Sequence, residues 1–310
     1  MPRLAALVTF AFVALAAGIC TSAQVKVAHH FRAVTLKTEP AAKVWIDGVF
    51  FGQTDEGGRF TIRTISAGNH NIRIRCDGFK EKNQALPASH KGDIAVVLTK
   101  TNDQAELAFQ EAERLSLRDR EEAVEAYQRA IKLRPAFPEA YLAMARVLSD
   151  SGDLDAALKA IASARKYRPG YAEATAVEGR IQKDLDDEPK AIAAFKKAIA
   201  EGKGFQPEAL TGLGLIFKEK AEGFGLTGDF DQESSNYTEA AKYFRSAITQ
   251  LSGAPDSIVV YQLLGLIYER QKRYDEAISL YQEFIDLYPD NSEVTAFRSF
   301  IEQIKKLQSR

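Results

Sequence analysis

The sequence predicts an α+β, multidomain chain: a small antiparallel β-sandwich followed by an all-α solenoid of five helix–turn–helix units. Three observations in the 310 residues carry this. Alanine recurs every 34 residues in the second half, at Ala123, Ala157 and Ala191 and again at Ala130, Ala164 and Ala198. A large residue keeps step between the two series at Tyr127, Ile161 and Phe195, and Pro135 and Pro169 close the first two units. Residues 33–100 instead show short β-rich runs broken by glycine turns. Small residues let two helices approach, the large one fills the gap, and such units stack into a solenoid whose product is a binding surface.

Met1–Ala23 reads as a signal peptide. Arg3 supplies the positive start, Leu4 to Ile19 is an uncharged apolar run, and Thr21-Ser22-Ala23 places a small residue before a cut ahead of Gln24. An uncleaved anchor or a lipid on Cys20 is the alternative; Ile19 stands where a small residue normally precedes a lipidated cysteine. Cleavage leaves Cys76 as the single cysteine, so no intrachain disulfide forms. Cys76 continues the alternation Ile72, Ile74 and is expected to point into the sandwich core.

The net charge of −1 suggests no nucleic-acid partner, and no membrane role except through a retained or lipidated N-terminus. The charge is uneven. Residues 24–101 hold 12 Lys and Arg against 7 Asp and Glu, a net +5, while residues 102–310 hold 28 against 35, a net −7. Solvated surfaces account for this, or the basic module docks on an anionic envelope component or on the acidic solenoid itself.

Strands are expected at 33–38, 43–46, 50–53, 60–65, 71–76 and 93–98. Asp47-Gly48 is a hairpin signal, since glycine readily takes the positive φ of a tight turn. Gly57-Gly58, Ala67-Gly68-Asn69 and Asp77-Gly78 separate the other runs. Thr38-Glu39-Pro40-Ala41-Ala42-Lys43-Val44-Trp45-Ile46-Asp47-Gly48, followed by Gly52-Gln53-Thr54, Gly68-Asn69-His70 and Gly78-Phe79, resembles a PEGA domain over residues 33–100. The name-giving tetrad lacks its glycine here, and Asp55-Glu56-Gly57-Gly58 replaces the usual proline turn. The resemblance implies a β-sandwich of an envelope or surface protein.

The helical units follow at about 103–136, 137–170 and 171–204, a fourth starts at Pro207 and a fifth completes the repeats to residue 291, with residues 292–310 as a capping helix. Tyr141, Ala145 and Gly152 mark the second unit, Gly179 the third, and Gly214, Ala240, Phe244 and Ala247 the fourth. Tyr261, Leu264, Gly265, Tyr268, Ala277, Tyr281 and Pro289 mark the fifth. This pattern resembles the tetratricopeptide repeat family over residues 103–291, which implies a tetratricopeptide-like solenoid that binds proteins. Gly214 and Ala240 are 26 residues apart where 12 is the rule, so about 14 are inserted. Ala221–Ser235, with Gly223, Gly225 and Gly228, is expected to leave the solenoid as an irregular excursion that either folds back to bury Phe224, Leu226 and Phe230 or presents them to a ligand.

No enzyme is expected. Residues 102–310 contain neither His nor Cys, which removes thiol, imidazole and zinc chemistry from the solenoid. His29-His30 alone makes a poor metal site, and Asp184 to Glu188 reads as a charged turn, so neither metal nor cofactor is expected. The resemblance implies that the first helix of each unit lines the inner wall. That places Arg146, Arg180, Lys183, Lys218 and Arg270 in the groove, where guanidinium forks suit carboxylates of an extended peptide. The competing reading is mutual pairing with Glu139, Glu173 and Glu208, each seven residues before Arg146, Arg180 and Leu215. Trp45 faces away from Val44 and Ile46, toward a partner, a sugar, a neighbouring loop or the adjoining domain. With Phe224 and Phe230 these residues are the candidate partner contacts. The expected function is protein–protein interaction or scaffolding in the bacterial cell envelope, exported to the periplasm or envelope. A protein or extended peptide in the solenoid groove is the expected partner, and an envelope glycan held by the β module is the alternative.

Overall fold

A computed structural model describes residues 31–309; the expected signal sequence and His29-His30 lie outside the described residues. Seven strands come first: β1 (Arg32–Lys37), β2 (Lys43–Ile46), β3 (Val49–Gln53), β4 (Arg59–Ile65), β5 (His70–Arg75), β6 (Lys82–Leu86) and β7 (Gly92–Ala95). They form two sheets, ordered β4-β1-β7 and β3-β2-β5-β6. Alternate residues enclose one core, Val34 and Leu36 from the first sheet against Val44, Ile46, Ile72 and Ile74 from the second. Asp47 and Gly48 have φ of 51° and 87°, the doubly left-handed turn that closes the β2–β3 hairpin.

The sandwich departs from the sequence reading in three places. β7 runs parallel to β1, from Val34 opposite Gly92 to Lys37 opposite Ala95, because the chain reaches β7 from the other sheet and not through a hairpin. β6 went unforeseen: Lys82, Asn83 and Gln84 give no apolar alternation, as suits an edge strand paired only with β5. Cys76 lies just past β5 and is half-buried at the core's margin, its Sγ 3.6 Å from the Pro40 carbonyl; burial pushes its thiol pKa up.

Five helix pairs follow: α1 (Gln104–Leu115) with α2 (Arg120–Leu133), α3 (Pro138–Asp150) with α4 (Leu154–Tyr167), and α5 (Ala172–Asp184) with α6 (Glu188–Glu201). Then come α7 (Pro207–Thr227) with α8 (Phe230–Leu251), α9 (Ser257–Arg270) with α10 (Tyr274–Leu287), and the covering helix α11 (Val294–Gln308). The period of 34 extends to the caps. Asp119, Asp153 and Asp187 each accept the amide hydrogen three residues on, at 3.0, 3.2 and 3.2 Å. Each such cap is worth about 1 kcal/mol. At the seams, Ala157 and Ala191 are fully buried. A Cβ on Gly179, Gly214 or Gly265 would stand 2.6, 2.6 or 2.0 Å from the rings or hydroxyl of Phe195, Phe244 and Tyr281, so these contacts admit only glycine without a shift.

The expected excursion at Ala221–Ser235 is not irregular. α7 and α8 have 21 and 22 residues against 13 and 14 in α5 and α6, so the insertion lengthens both helices of the fourth unit by about two turns. The turn is short and carries Gly228 in the left-handed conformation. Glycine costs a helix about 1 kcal/mol per residue, but cross-helix contacts offset this. Ala221 and Tyr237 are buried, Phe217 stacks on Tyr243 at 5.6 Å, and a Cβ on Gly225 would meet the Glu233 carboxylate at 2.9 Å. No described helix is long and apolar enough to cross a membrane.

Candidate functional site

From Phe31 onward sandwich and solenoid form one compact unit, and the contacts between them build the site. At the first repeat the Gln110 side chain of α1 accepts from the Gly78 amide and donates to the Phe79 carbonyl, both at 2.8 Å. Beside it Arg75 of β5 donates to Glu113 of α1 at 2.7 Å and pairs with Glu81, its guanidinium 5.3 Å from the Trp45 ring and 4.8 Å from that of Phe109. Midway, the β2–β3 turn reaches the start of α5, where a Cβ on Gly48 would lie 2.8 Å from Glu173 Oε1. Val49 joins the core of the last two repeats. At the far end the Thr64 hydroxyl donates to the Ser252 carbonyl at 2.6 Å, Ser252 returns a bond at 3.1 Å, and Arg63 pairs with Asp290. The basic sandwich thus spans the acidic solenoid from first unit to last, the self-docking form of the charge asymmetry in the sequence.

Between the two a cleft of about 910 Å³ remains. The sandwich contributes Trp45, Asp47, Phe50, Arg73 and Arg75 to its wall; the helices contribute Leu142, Arg146, Tyr171, Glu173, Arg180, Lys183, Phe195 and Glu208. Of the eight candidate residues, Trp45, Arg146, Arg180 and Lys183 come together here. Lys218 pairs along its own helix with Glu222 at 2.6 Å, and Arg270 reaches Glu233 at 3.3 Å. Phe224 and Phe230 sit at the tip of the α7–α8 hairpin, where Leu226 and Phe230 are 91% and 69% exposed.

The groove cations are largely engaged, but not by the carboxylates seven residues before them. Two helical turns separate such residues by about 10 Å. Arg146 instead takes Glu208 two units away, with bonds of 3.0 and 2.6 Å, Glu139 takes Arg168, and Lys183 takes Glu219 at 2.7 Å. Arg180 approaches Asp150 at 3.4 Å while its Nε and Nη2 are buried without a hydrogen-bond acceptor. Burial favours the neutral form of Glu208, yet the charge and hydrogen bonds of Arg146 hold its carboxyl below the ordinary value. Burial, then Glu173, raise the Tyr171 phenol.

Trp45 is half-buried, with Phe50 5.3 Å from it and the Arg73 guanidinium 4.8 Å over its ring. Arg73 and Arg75 escaped the sequence reading, although the alternation that turns Ile72 and Ile74 inward turns Arg73 outward, and Arg73 pairs directly opposite Trp45. Gln110, Glu113 and Tyr171 left no comparable signal. At the hairpin, Asp47 Oδ2 lies 2.6 Å from His70 Nδ1 while Oδ1 accepts from the Asn71 amide at 2.8 Å. The Asp47 hydrogen bond raises the His70 pKa against the effect of burial. Among the described residues no three His, Cys, Asp or Glu side chains converge as a metal site would require.

Known proteins share the helical part. The tetratricopeptide repeat family matches residues 114–181 and 226–290, so the chain carries tetratricopeptide repeats. Among solved structures, the Cut9–Hcn1 hetero-tetramer of the APC/C is 18% identical with a TM-score of 0.51, over 67% of this chain and 38% of that one. Yeast Tom70 is 19% identical with a TM-score of 0.52, over 67% of this chain and 41% of that one. This chain therefore spans about two-fifths of either, and the likeness is one of fold. No curated protein matches it.

Proposed function

We propose that this bearer of tetratricopeptide repeats is a non-enzymatic interaction scaffold of the bacterial cell envelope that holds an extended segment of a partner protein between its two modules. The cleft carries this reading. It is lined by first helices of successive repeats, mixes aromatic, aliphatic and charged side chains, and is closed on one side by the chain's own sandwich. Stacked helix pairs present such a surface, and fold-level likeness sets only the kind of partner. Export is the expectation from Met1–Ala23, and the PEGA-like reading of residues 33–100 is consistent with it. The glycan alternative is weaker, because Arg73, Arg75 and Phe50 crowd the Trp45 ring that a sugar would stack on.

The test is photocrosslinking in cells from a reactive amino acid at Leu142, followed by mass spectrometry of adducts and N-terminal sequencing of the mature chain. Adducts to one or a few proteins support the scaffold; adducts to glycan alone overturn it. A mature chain that begins at Gln24 in the envelope fraction supports export, and an intact Met1 in the cytosol overturns it.

A further inference from the structure

We propose that the cleft recognises an acidic side chain of the bound segment, its carboxylate taking the place of the groups that now cover the unpaired Nε–Nη2 edge of Arg180, with Arg73 of the sandwich as the second cation drawn to it. This rests on the scaffold reading above and deepens it. Three buried guanidinium nitrogens without a hydrogen-bond acceptor belong to two residues of this one cleft: Nε and Nη2 of Arg180 and Nε of Arg73. Nε and Nη2 lie on the same edge of a guanidinium, so their two N–H groups match the two oxygens of a carboxylate in a side-on fork. A buried N–H left without an acceptor is unfavourable, and an anion relieves it. Asp150, the nearest carboxylate to Arg180, is half-exposed and meets Nη2 only at 3.4 Å.

The other cations of the cleft are committed. Arg146 forks Glu208, Arg75 lies between Glu81 and Glu113, and Lys183 holds Glu219. The carboxylates on the other side are answered too: Glu208 by Arg146, Glu113 by Arg75, Glu139 by Arg168 and Asp47 by His70. Leu142, Ala143 and Phe195 line the same cleft and suit apolar neighbours of the acidic residue. Arg73 is pre-set for the task by its 4.8 Å stacking on Trp45. Arg73 comes from the sandwich and Arg180 from the solenoid, so the solenoid alone lacks one of the cleft's two arginines with an unpaired buried nitrogen.

The experiment uses the full chain and a library of fluorescein-labelled octapeptides with one Asp or Glu among Leu, Val and Phe, read by fluorescence anisotropy. Binding should be detectable below ~1 mM. It should weaken about tenfold or more in Arg180→Met, Arg73→Met and Arg180→Lys, and when Asp or Glu of the peptide becomes Asn or Gln. Arg180→Lys keeps the charge and loses the fork, which separates recognition from simple attraction. If Arg180→Met fails to show a melting transition, Arg180→Lys and the amide peptides on the unaltered chain decide. A library without a binder, or binding indifferent to both arginines, overturns the site, as does preference for a peptidoglycan fragment in competition. Protein adducts in cells that persist in Arg73→Met/Arg180→Lys overturn this inference alone; an absence of protein adducts in the unaltered chain overturns the scaffold reading.

Discussion

Arg146 on α3 and Glu208 on α7 form a two-bond ion pair across two repeat units, at 3.0 and 2.6 Å. The pair ties the second unit to the fourth over the third, so the inner wall is cross-linked by charge and not only by neighbour stacking. Water reaches 37% and 29% of the two side chains. Partial screening therefore sets the loss in Glu208→Gln at about 1–2 kcal/mol rather than the larger cost of a deeply buried pair. The folded pKa of Glu208 lies below its ordinary 4.5. Its stabilisation is present above that value and is lost as pH falls through the folded pKa. Urea midpoints at neutral pH and in acid should converge for Glu208→Gln and the unaltered chain as pH falls; parallel curves would contradict the pair.

His70 and Asp47 give a titration of opposite sign. The His70 pKa is raised above 6.5. Its contribution is complete below 6.5 and is lost as pH rises through the folded value. Melting temperature should fall as pH rises above 6.5 through the raised folded pKa in the unaltered chain and stay flatter in His70→Gln. The imidazole NMR titration of His70 gives the folded pKa directly, and a value below 6.5 would refute the coupling.

Gln110 bridges backbone groups of the sandwich, so Gln110→Ala removes two bonds and leaves the Gly78 and Phe79 groups partly unpaired. A loss of about 1–3 kcal/mol is expected. Hydrogen exchange should quicken at Gly78, and in β5 and β6, more than in α4 or α6. Uniform quickening would mean that the two modules do not separate.

Ala191 is fully buried between helices. Ala191→Leu overpacks the seam and should cost about 1–3 kcal/mol by denaturant midpoint, with Ala157→Leu behaving alike. An unchanged midpoint for either would place the repeat register elsewhere.

Leu226 and Phe230 at the hairpin tip are mostly exposed. The double substitution to Ser should leave stability within about 0.5 kcal/mol. Comparison of partner recovery at equal stability then decides whether the tip binds: lower recovery makes it a contact, equal recovery makes it a bystander.

The sequence by itself determined the units. Each depends on a local rule: alanine and a large residue at fixed spacing for the seams, Asp47-Gly48 for the hairpin, inward Ile72 and Ile74 for the sandwich core. Such patterns repeat within a few turns or strands and are written in order along the chain. The helical state of Ala221–Ser235 was not legible in this way, because its glycines argue locally against helix and only the facing helix, with Tyr237, Tyr243 and Glu233, reverses the balance. The parallel β1–β7 pair and the polar edge strand β6 were hidden for the same reason. The cleft was decided by tertiary structure alone. Arg146 meets Glu208 across 62 residues, Gln110 meets Gly78 across 32, and Thr64 meets Ser252 across 188. Pairing of charges and hydrogen bonds at such separations depends on which surfaces docking brings together, and neither spacing nor periodicity encodes it.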